Sequence, residues 1–407
     1  SSAAVNIAGG SQIIAVGAAD PDGKKHNTVE ITALAAHNAG VIEYTEGGKP
    51  FYKVAGIDTP LTKEEYEKNY ETGGHTVYVT DVTTNATINI TNDGATGNNK
   101  TTIQGERVDI EALASVTYES SKYNPIEAKN LIKYGLSIAF NGIDAGIGVL
   151  DNRAIVNIGN NTVITAFGAD VPQHTEFGTG KTIPGKSAVN IQATADEKMD
   201  LGALSFGLNA IEKVSSTAVL AIPGVAIVVG KGDNKAEVTL GGNITANTGS
   251  VNTEALASNK FHASAVTSLP LDTLPADGFI NLAFSHMYGT NNSKVDVLSG
   301  ANITANNANT ANIQNININA ASHNDVEIET EAAMGDNGAV AAGMSFTVYR
   351  SYVTVNIDGV VNAKNGLTVN AEGIYSNNEI IVDDNMHCSF TGIFACGDCT
   401  NKGPKQI

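Results

Sequence analysis

The sequence contains no tryptophan, only 6% aromatic residues and just three cysteines, Cys388, Cys396 and Cys399, all within the last twenty of 407 positions. A disulfide framework is therefore excluded for nearly the whole chain. Basic side chains are also few. The 24 Lys and Arg face 42 Asp and Glu, and a formal charge of −18 would repel a phosphate backbone, which excludes nucleic acid as a partner. Charged residues of both signs total 16%, well under the ~25% of ordinary globular domains. No apolar run reaches the ~18 to 20 residues that cross a bilayer. The longest candidate, Ala218 to Gly230, is broken at Pro223-Gly224, so no membrane insertion is expected within this segment. Ser1-Ser2 opens the chain without Met or a basic n-region, and an export signal is expected to have been removed or to lie upstream.

Motifs of catalysis and metal binding are missing too. No G-x-G-x-x-G opens a helix and no G-x-S-x-G elbow is present, so nucleophilic catalysis has no visible seat. The eight histidines (26, 37, 75, 174, 262, 286, 323 and 387) are scattered without the i, i+4 pairing of a transition-metal site. Gly178-Thr179-Gly180-Lys181-Thr182 ends like a phosphate loop, but Thr175 stands where that loop needs Gly, and a turn is expected. Asp93-Gly94 and Gly232-Asp233-Asn234 read as solvated acidic turns rather than calcium sites.

What is present is a core. Hydrophobic residues make up 42% and recur at regular spacing, which excludes disorder. A three-line phrase repeats six times. Its first line is Val5-Asn6-Ile7, Ile88-Asn89-Ile90, Val156-Asn157-Ile158, Val238-Thr239-Leu240, Val295-Asp296-Val297 and Val355-Asn356-Ile357. The second is an I-T-A line such as Asn243-Ile244-Thr245-Ala246 and Asn302-Ile303-Thr304-Ala305. The third is V-x-I-x-A, as at Val29 to Ala33, Val108 to Ala112, Val189 to Ala193 and Leu367 to Ala371.

Each line alternates apolar with polar residues at period 2, as a half-buried strand does, and Gly or Asn between lines supplies corners. The expected fold is all-β, a right-handed β-solenoid of short strands. First lines start 83, 68, 82, 57 and 60 residues apart, and with coils of about 20 residues each unit would hold two or three coils plus loops. An insertion at about 40–80 is expected to carry a short helix at Thr62 to Lys68, from the Thr62/Glu65 capping-box pattern. A second segment, Asn124 to Gly135, reads as a helix with Pro125 in its first turn or as an ordinary loop.

These lines resemble the repeat region of leukotoxin-type bacterial filamentous adhesins over residues 1 to about 376. That resemblance implies an exported, non-enzymatic stalk or adhesin at the cell surface, binding host or neighbouring-cell molecules and needing no cofactor or metal. A polysaccharide-active β-helix enzyme is a weaker alternative, with Glu327, Glu329 and Glu331 as its acids, although a solvated acidic edge explains the same spacing.

At Glu379 the phrase stops. Gly392-Ile393-Phe394-Ala395, Gly397-Asp398 and Lys405-Gln406 resemble the second FAD-binding motif of the thioredoxin reductase family, with Cys388, Phe390-Thr391 and Gly403-Pro404 departing from it. The resemblance implies that Asp398 meets a ribityl hydroxyl, that Gln406 lies beside the isoalloxazine, and that Gly397 lets the backbone approach the cofactor. In that family the positions of Cys396 and Cys399 hold small residues packing beside flavin. The division expected is therefore a solenoid over 1–378 and a motif fragment over 379–407, joined by fusion or assembly. The alternative function is an FAD-dependent thioredoxin-disulfide reductase remnant, located in the cytoplasm if the tail defines the protein.

Overall fold

The computed structural model describes residues 1–15, 27–46, 49–54, 61–62, 77–90, 100–119, 143–171, 174–175, 182–183, 185–204, 208–210, 220–222, 224–267, 280–306, 316–332 and 340–376. Every regular element among them is a strand. The first sheet contains β1 (Ser2–Ile7), β6 (Val77–Ile90), β9 (Ile143–Ile158), β16 (Gly224–Leu240), β19 (Ile280–Val297) and β22 (Val340–Ile357), in that spatial order. The second contains β2 (Gln12–Ile14), β7 (Thr101–Gly105), β10 (Thr162–Ala166), β17 (Asn243–Ala246), β20 (Asn302–Ala305) and β23 (Val360–Ala363). The third runs through β3 (Thr28–Glu46), β8 (Arg107–Glu119), β13 (Val189–Leu204), β18 (Val251–Val266), β21 (Ile316–Glu331) and β24 (Leu367–Ser376). Beside β3 lie the antiparallel strands β4 (Lys49–Val54) and β5 (Leu61–Thr62). Two small antiparallel ribbons pair β11 (His174–Thr175) with β12 (Thr182–Ile183), and β14 (Leu208–Ala210) with β15 (Leu220–Ile222).

The chain visits the three sheets in turn and then begins again one strand further along. Within each main sheet all six repeating strands pair in parallel and in register. The phrase's first lines end the strands of the first sheet, so Val5, Ile88, Val156, Val238, Val295 and Val355 form one column. Corners between the first and second sheets use the left-handed region, with Gly242 at φ 75 and Gly300 at φ 88, where an L side chain is strained.

This corrects the expected right-handed solenoid of short strands. One circuit takes 83, 68, 82, 57 or 60 residues, a whole phrase unit rather than a third of one, because the strands of the first and third sheets run far past the phrase lines. The strand β16 alternates buried and half-buried over all 17 of its residues. The layout is three all-parallel sheets, a pairing shared with Rossmann-type sheets. Here the sheets cover one another, and no helix occurs among the described residues. The expected helix at Thr62 to Lys68 is corrected where it can be seen, since Thr62 ends β5. The rest of it, and the segment Asn124 to Gly135, lie outside the described residues.

The interior holds two apolar clusters. The larger lines the phrase positions, among them Ile88, Ile103, Ile110, Ile158, Ile164 and Ile191, all at 1% exposure or less. The smaller, between the first and third sheets, is built on Met199, Leu201, Phe261 and Met287. Glycines make room for these side chains. A Cβ at Gly230 would stand 2.3 Å from the Met287 sulfur, and one at Gly232 would stand 2.4 Å from the Phe261 ring.

Between the two clusters runs a polar seam. In the first sheet Thr84, Asn152, Asn234, Asn291 and Ser351 occupy one inward column. Asn152 donates to the Asn234 side-chain oxygen at 3.0 Å, Asn234 to Asn291 at 3.2 Å, and Asn291 to Asn324 of the third sheet at 3.0 Å. The same amide nitrogens lie within hydrogen-bond distance of third-sheet carbonyls, Asn234 at 3.0 Å from Ala195 and 2.9 Å from Ser258, Asn291 at 3.0 Å from Ala257 and from His323. The seam therefore satisfies backbone groups that are closed off from water, and an unsatisfied one costs ~1–3 kcal/mol. The reading of Gly232-Asp233-Asn234 as a solvated turn is thus corrected: all three lie in mid-strand, with Asn234 only 1% exposed.

Outward amides stack as well, Asn89 on Asn6 at 3.0 Å and Asn157 on Asn89 at 2.9 Å, but in contact with water. Asn234→Ala should therefore cost about 3 kcal/mol in urea unfolding, while Asn89→Ala should cost roughly 0.5 kcal/mol or less. Equal losses would contradict the role of the inner seam.

Candidate functional site

The buried carboxyl of Glu197 is the most perturbed titratable group among the described residues. It lies on β13 in phase with the inward set Val189, Ile191, Ala193, Ala195, Met199 and Leu201, so strand alternation places it inside. Its column neighbours are Val116 and Asn259. With its amide nitrogen turned toward the carboxyl, Asn259 donates to Glu197 Oε2 at 3.2 Å, while Oε1 has no partner. Burial pushes this carboxyl well above the ordinary carboxylate range, and the negative charges of Asp233, Asp151 and Asp196 push it in the same direction. A neutral acid in this place carries its own O–H donor. No nucleophile, base or metal partner stands against it among the described residues, so its chemistry is that of a buried hydrogen-bonding group.

The other polar groups are dispersed over outer faces. His262 Nδ1 lies 2.9 Å from Asp200 Oδ1, with Glu327 the next residue in that column. Glu327, Glu329 and Glu331 are exposed in alternation on β21, and Ser264 donates to Glu329 at 3.3 Å. Lys231 pairs with Asp233 at 2.7 Å, Lys235 with Glu237 at 2.8 Å and Lys294 with Asp296 at 2.6 Å. Each pair is two residues apart on the wet side of one strand, where such contacts contribute little. No group of His, Cys, Asp and Glu among the described residues is arranged to hold a metal ion. An outer stripe of the first sheet brings Phe284 to 6.0 Å from Phe346 and stacks His286 on Tyr288 at 5.2 Å.

The residues that the sequence singles out for flavin, Gly397, Asp398 and Gln406, lie outside the described residues, as do all three cysteines. Gly178 to Lys181 also lie outside, and Thr182 belongs to the short strand β12.

Comparison with known proteins gives one finding. The sequence model of the pyridine nucleotide-disulphide oxidoreductase family matches residues 277–407, about a third of the chain and reaching back well before Glu379. No curated protein matches, and no solved structure matches. No adhesin repeat family is found. The adhesin resemblance is corrected accordingly, and with it the expectation of a non-enzymatic, cofactor-free attachment protein. What the chain is similar to is an oxidoreductase family, and the cofactor that this similarity implies is FAD, used with NAD(P)H. The weaker polysaccharide-enzyme reading is corrected by the same match.

The described part of the matched segment can be tested for fit to a dinucleotide. A pyrophosphate is held by a glycine-rich turn opening the N-terminus of a helix. The described residues of 280–376 supply no helix. The inward side chains of β19, β20 and β21 fill the shared core, and all of these strands continue the register of the strands before them. A cleft of about 490 Å³ at Lys294, Asp296, Val355 and Asp358 is a corner lined by the Lys294–Asp296 ion pair and has no such turn. These strands do not fit FAD.

The buried acid makes a separate prediction. A carboxyl whose folded pKa is raised binds a proton more tightly in the native state than in the unfolded one. Its stabilisation is complete below the unfolded pKa and is lost as pH rises toward the folded one. Glu197→Gln, neutral at every pH, should therefore match the wild type in urea midpoint at roughly pH 4 and exceed it at roughly pH 8. A difference independent of pH would contradict a buried neutral Glu197.

Proposed function

We propose that this chain is the flavin-binding part of an oxidoreductase of the pyridine nucleotide-disulphide type, with FAD taken by its C-terminal segment and the parallel-strand body supporting that segment. One observation carries this reading: the family match over residues 277–407 contains the motif Gly392-Ile393-Phe394-Ala395, Gly397-Asp398 and Lys405-Gln406. In this reading Asp398 accepts a hydrogen bond from a ribityl hydroxyl. Gly397 leaves the space that a close backbone approach needs, and Gln406 lies at the isoalloxazine. The reaction class is transfer of reducing equivalents from a reduced nicotinamide nucleotide to a disulphide. A complete enzyme of this class also needs a nicotinamide domain and a redox cysteine pair, and the described residues contain neither. The cytoplasm is the compartment that goes with this reading, and nucleic acid is no partner of a chain with a charge of −18.

The test is retention of flavin. The full chain, mixed with excess FAD and passed over a desalting column, should keep flavin absorbance in stoichiometric amount. Asp398→Ala should weaken binding by roughly 10-fold or more, the cost of one charge-assisted hydrogen bond. A full chain that keeps no flavin would end this reading.

A further inference from the structure

The outer face of the first sheet changes character along its strands. Near the strand starts, one outward column runs through Val79, Ile147, Val229, His286 and Phe346. One flanking column holds Ile227, Phe284 and Met344, and the other holds Val149, Lys231, Tyr288 and Val348. Strand alternation turns these side chains away from both interior clusters, and Val79, Met344, Phe346 and Val348 are each at least 50% exposed. Further along the strands the next column is polar: Asp151, Asp233, Thr290 and Arg350. An exposed apolar patch of this breadth marks an interaction surface.

The patch is stepped. Its later strands, β19 and β22, carry the bulky side chains Phe284, His286, Tyr288, Met344 and Phe346. The strands before them, β9 and β16, carry the shorter Ile147, Val149, Ile227 and Val229. In the thick half the rings hold one another, His286 stacked on Tyr288 at 5.2 Å and Phe284 at 6.0 Å from Phe346. A ridge two strands wide therefore stands beside a shelf of the same width.

We propose that this face is a homodimer interface, in which a second copy of the chain lies sheet on sheet with its ridge on the first copy's shelf. The two-fold axis runs along the strands between β16 and β19. It keeps every residue in its own column and exchanges β16 with β19 and β9 with β22. Ile227 then faces Phe284 of the second copy, Val229 faces His286, and Ile147 faces Phe346. Strand directions stay aligned, as in sheets packed about 10 Å apart. The charges obey the same exchange. Lys231 lies over the ring of Tyr288, a cation–π contact, while Asp151 meets Arg350 and Glu237 meets Lys294. No cross pair joins like charges, and this complementarity selects a second copy even though each chain carries −18 overall.

The size is that of a stable dimer. Four strands about 4.8 Å apart, crossed by the five columns from Leu282 to Thr290 of β19, span a plane of roughly 640 Å². Side chains standing off that plane bring the accessible area near the ~800 Å² per partner of a standard interface. Because the contact is isologous, it occupies the same face on both copies and closes at two chains. The proposal does not depend on flavin.

The test uses the full chain. Sedimentation equilibrium should give a particle of twice the 42.1 kDa chain mass. Phe346→Lys should raise the dissociation constant at least ~10-fold while leaving the β-type circular dichroism spectrum unchanged, because that ring is exposed. Leu34→Lys, at an exposed position on the outer face of the third sheet, should leave the constant as it is. Arg350→Glu and Asp151→Lys should each weaken the dimer, and the two together should restore it. Within one chain these residues stand three strand spacings apart, about 14 Å, so the rescue can arise only between copies. If Phe346→Lys misfolds, the charge exchange still decides. A monomer at every concentration would overturn the proposal and leave the face to a partner of other sequence. A dimer indifferent to Phe346→Lys, or a double variant no tighter than the single ones, would overturn it as well.

Discussion

Parallel, in-register pairing is the constraint on which the rest of this structure depends. Because each strand lies beside its counterpart one circuit earlier, a side chain's nearest neighbours across the sheet are its own equivalents. Apolar residues gain from this, as in the column from Val5 to Val355. A charge repeated at an inward position would stack on itself in a medium that screens it poorly. The inward polar column is accordingly uncharged, with Asn152, Asn234 and Asn291 at its centre each donating to the next amide. Glu197 is the one carboxylate among the described residues fully closed off from water, and that burial raises its pKa well above the ordinary carboxylate range.

The same rule explains why glycine appears inside long strands. Where Met199 and Phe261 of the third sheet project across the gap, the facing positions are Gly148, Gly230 and Gly232, and Met287 fills the space beside Gly230, its neighbour within the first sheet. Gly289 lies so close to the Gly232 carbonyl that a Cβ would come within 1.9 Å of it. Side-chain volume is exchanged across the gap, large against none, and this keeps a thin interior filled without strain. An adjacent layer built to the same pattern buries these groups completely.

Much of the strand pattern could be read from the sequence, and the misreadings have physical causes. The phrase lines stood out because Val, Ile and Ala alternate there with Asn and Thr. The long strands running on from them did not read as continuous, because many of their inward positions, such as Gly230, Gly232, Asn234 and Ser285, are Gly, Asn or Ser. Gly232-Asp233-Asn234 has the composition of a turn, yet it is mid-strand and paired on both sides, with Gly232 and Asn234 buried. Counting every second residue back from Leu240 through Ala236 to Ala226 would have placed Asn234 inside, and the same count from Val189 reaches Glu197. Circuit length was misjudged for the same reason. The flavin motif was legible residue by residue, but its positions lie beyond the described strands, and packing positions earlier in the chain say nothing about chemistry. Body and motif follow different logics, repetition in the one and a specific cofactor contact in the other.

The most direct test of the central claim is a distance between equivalent positions in neighbouring layers. Thr239 and Asp296 are 57 residues apart and face each other across β16 and β19. Nitroxide labels placed at both should sit on strands about 4.8 Å apart and show strong spin exchange in the electron paramagnetic resonance spectrum. Sharp, uncoupled spectra from the folded, doubly labelled chain would contradict in-register stacking and the account built on it.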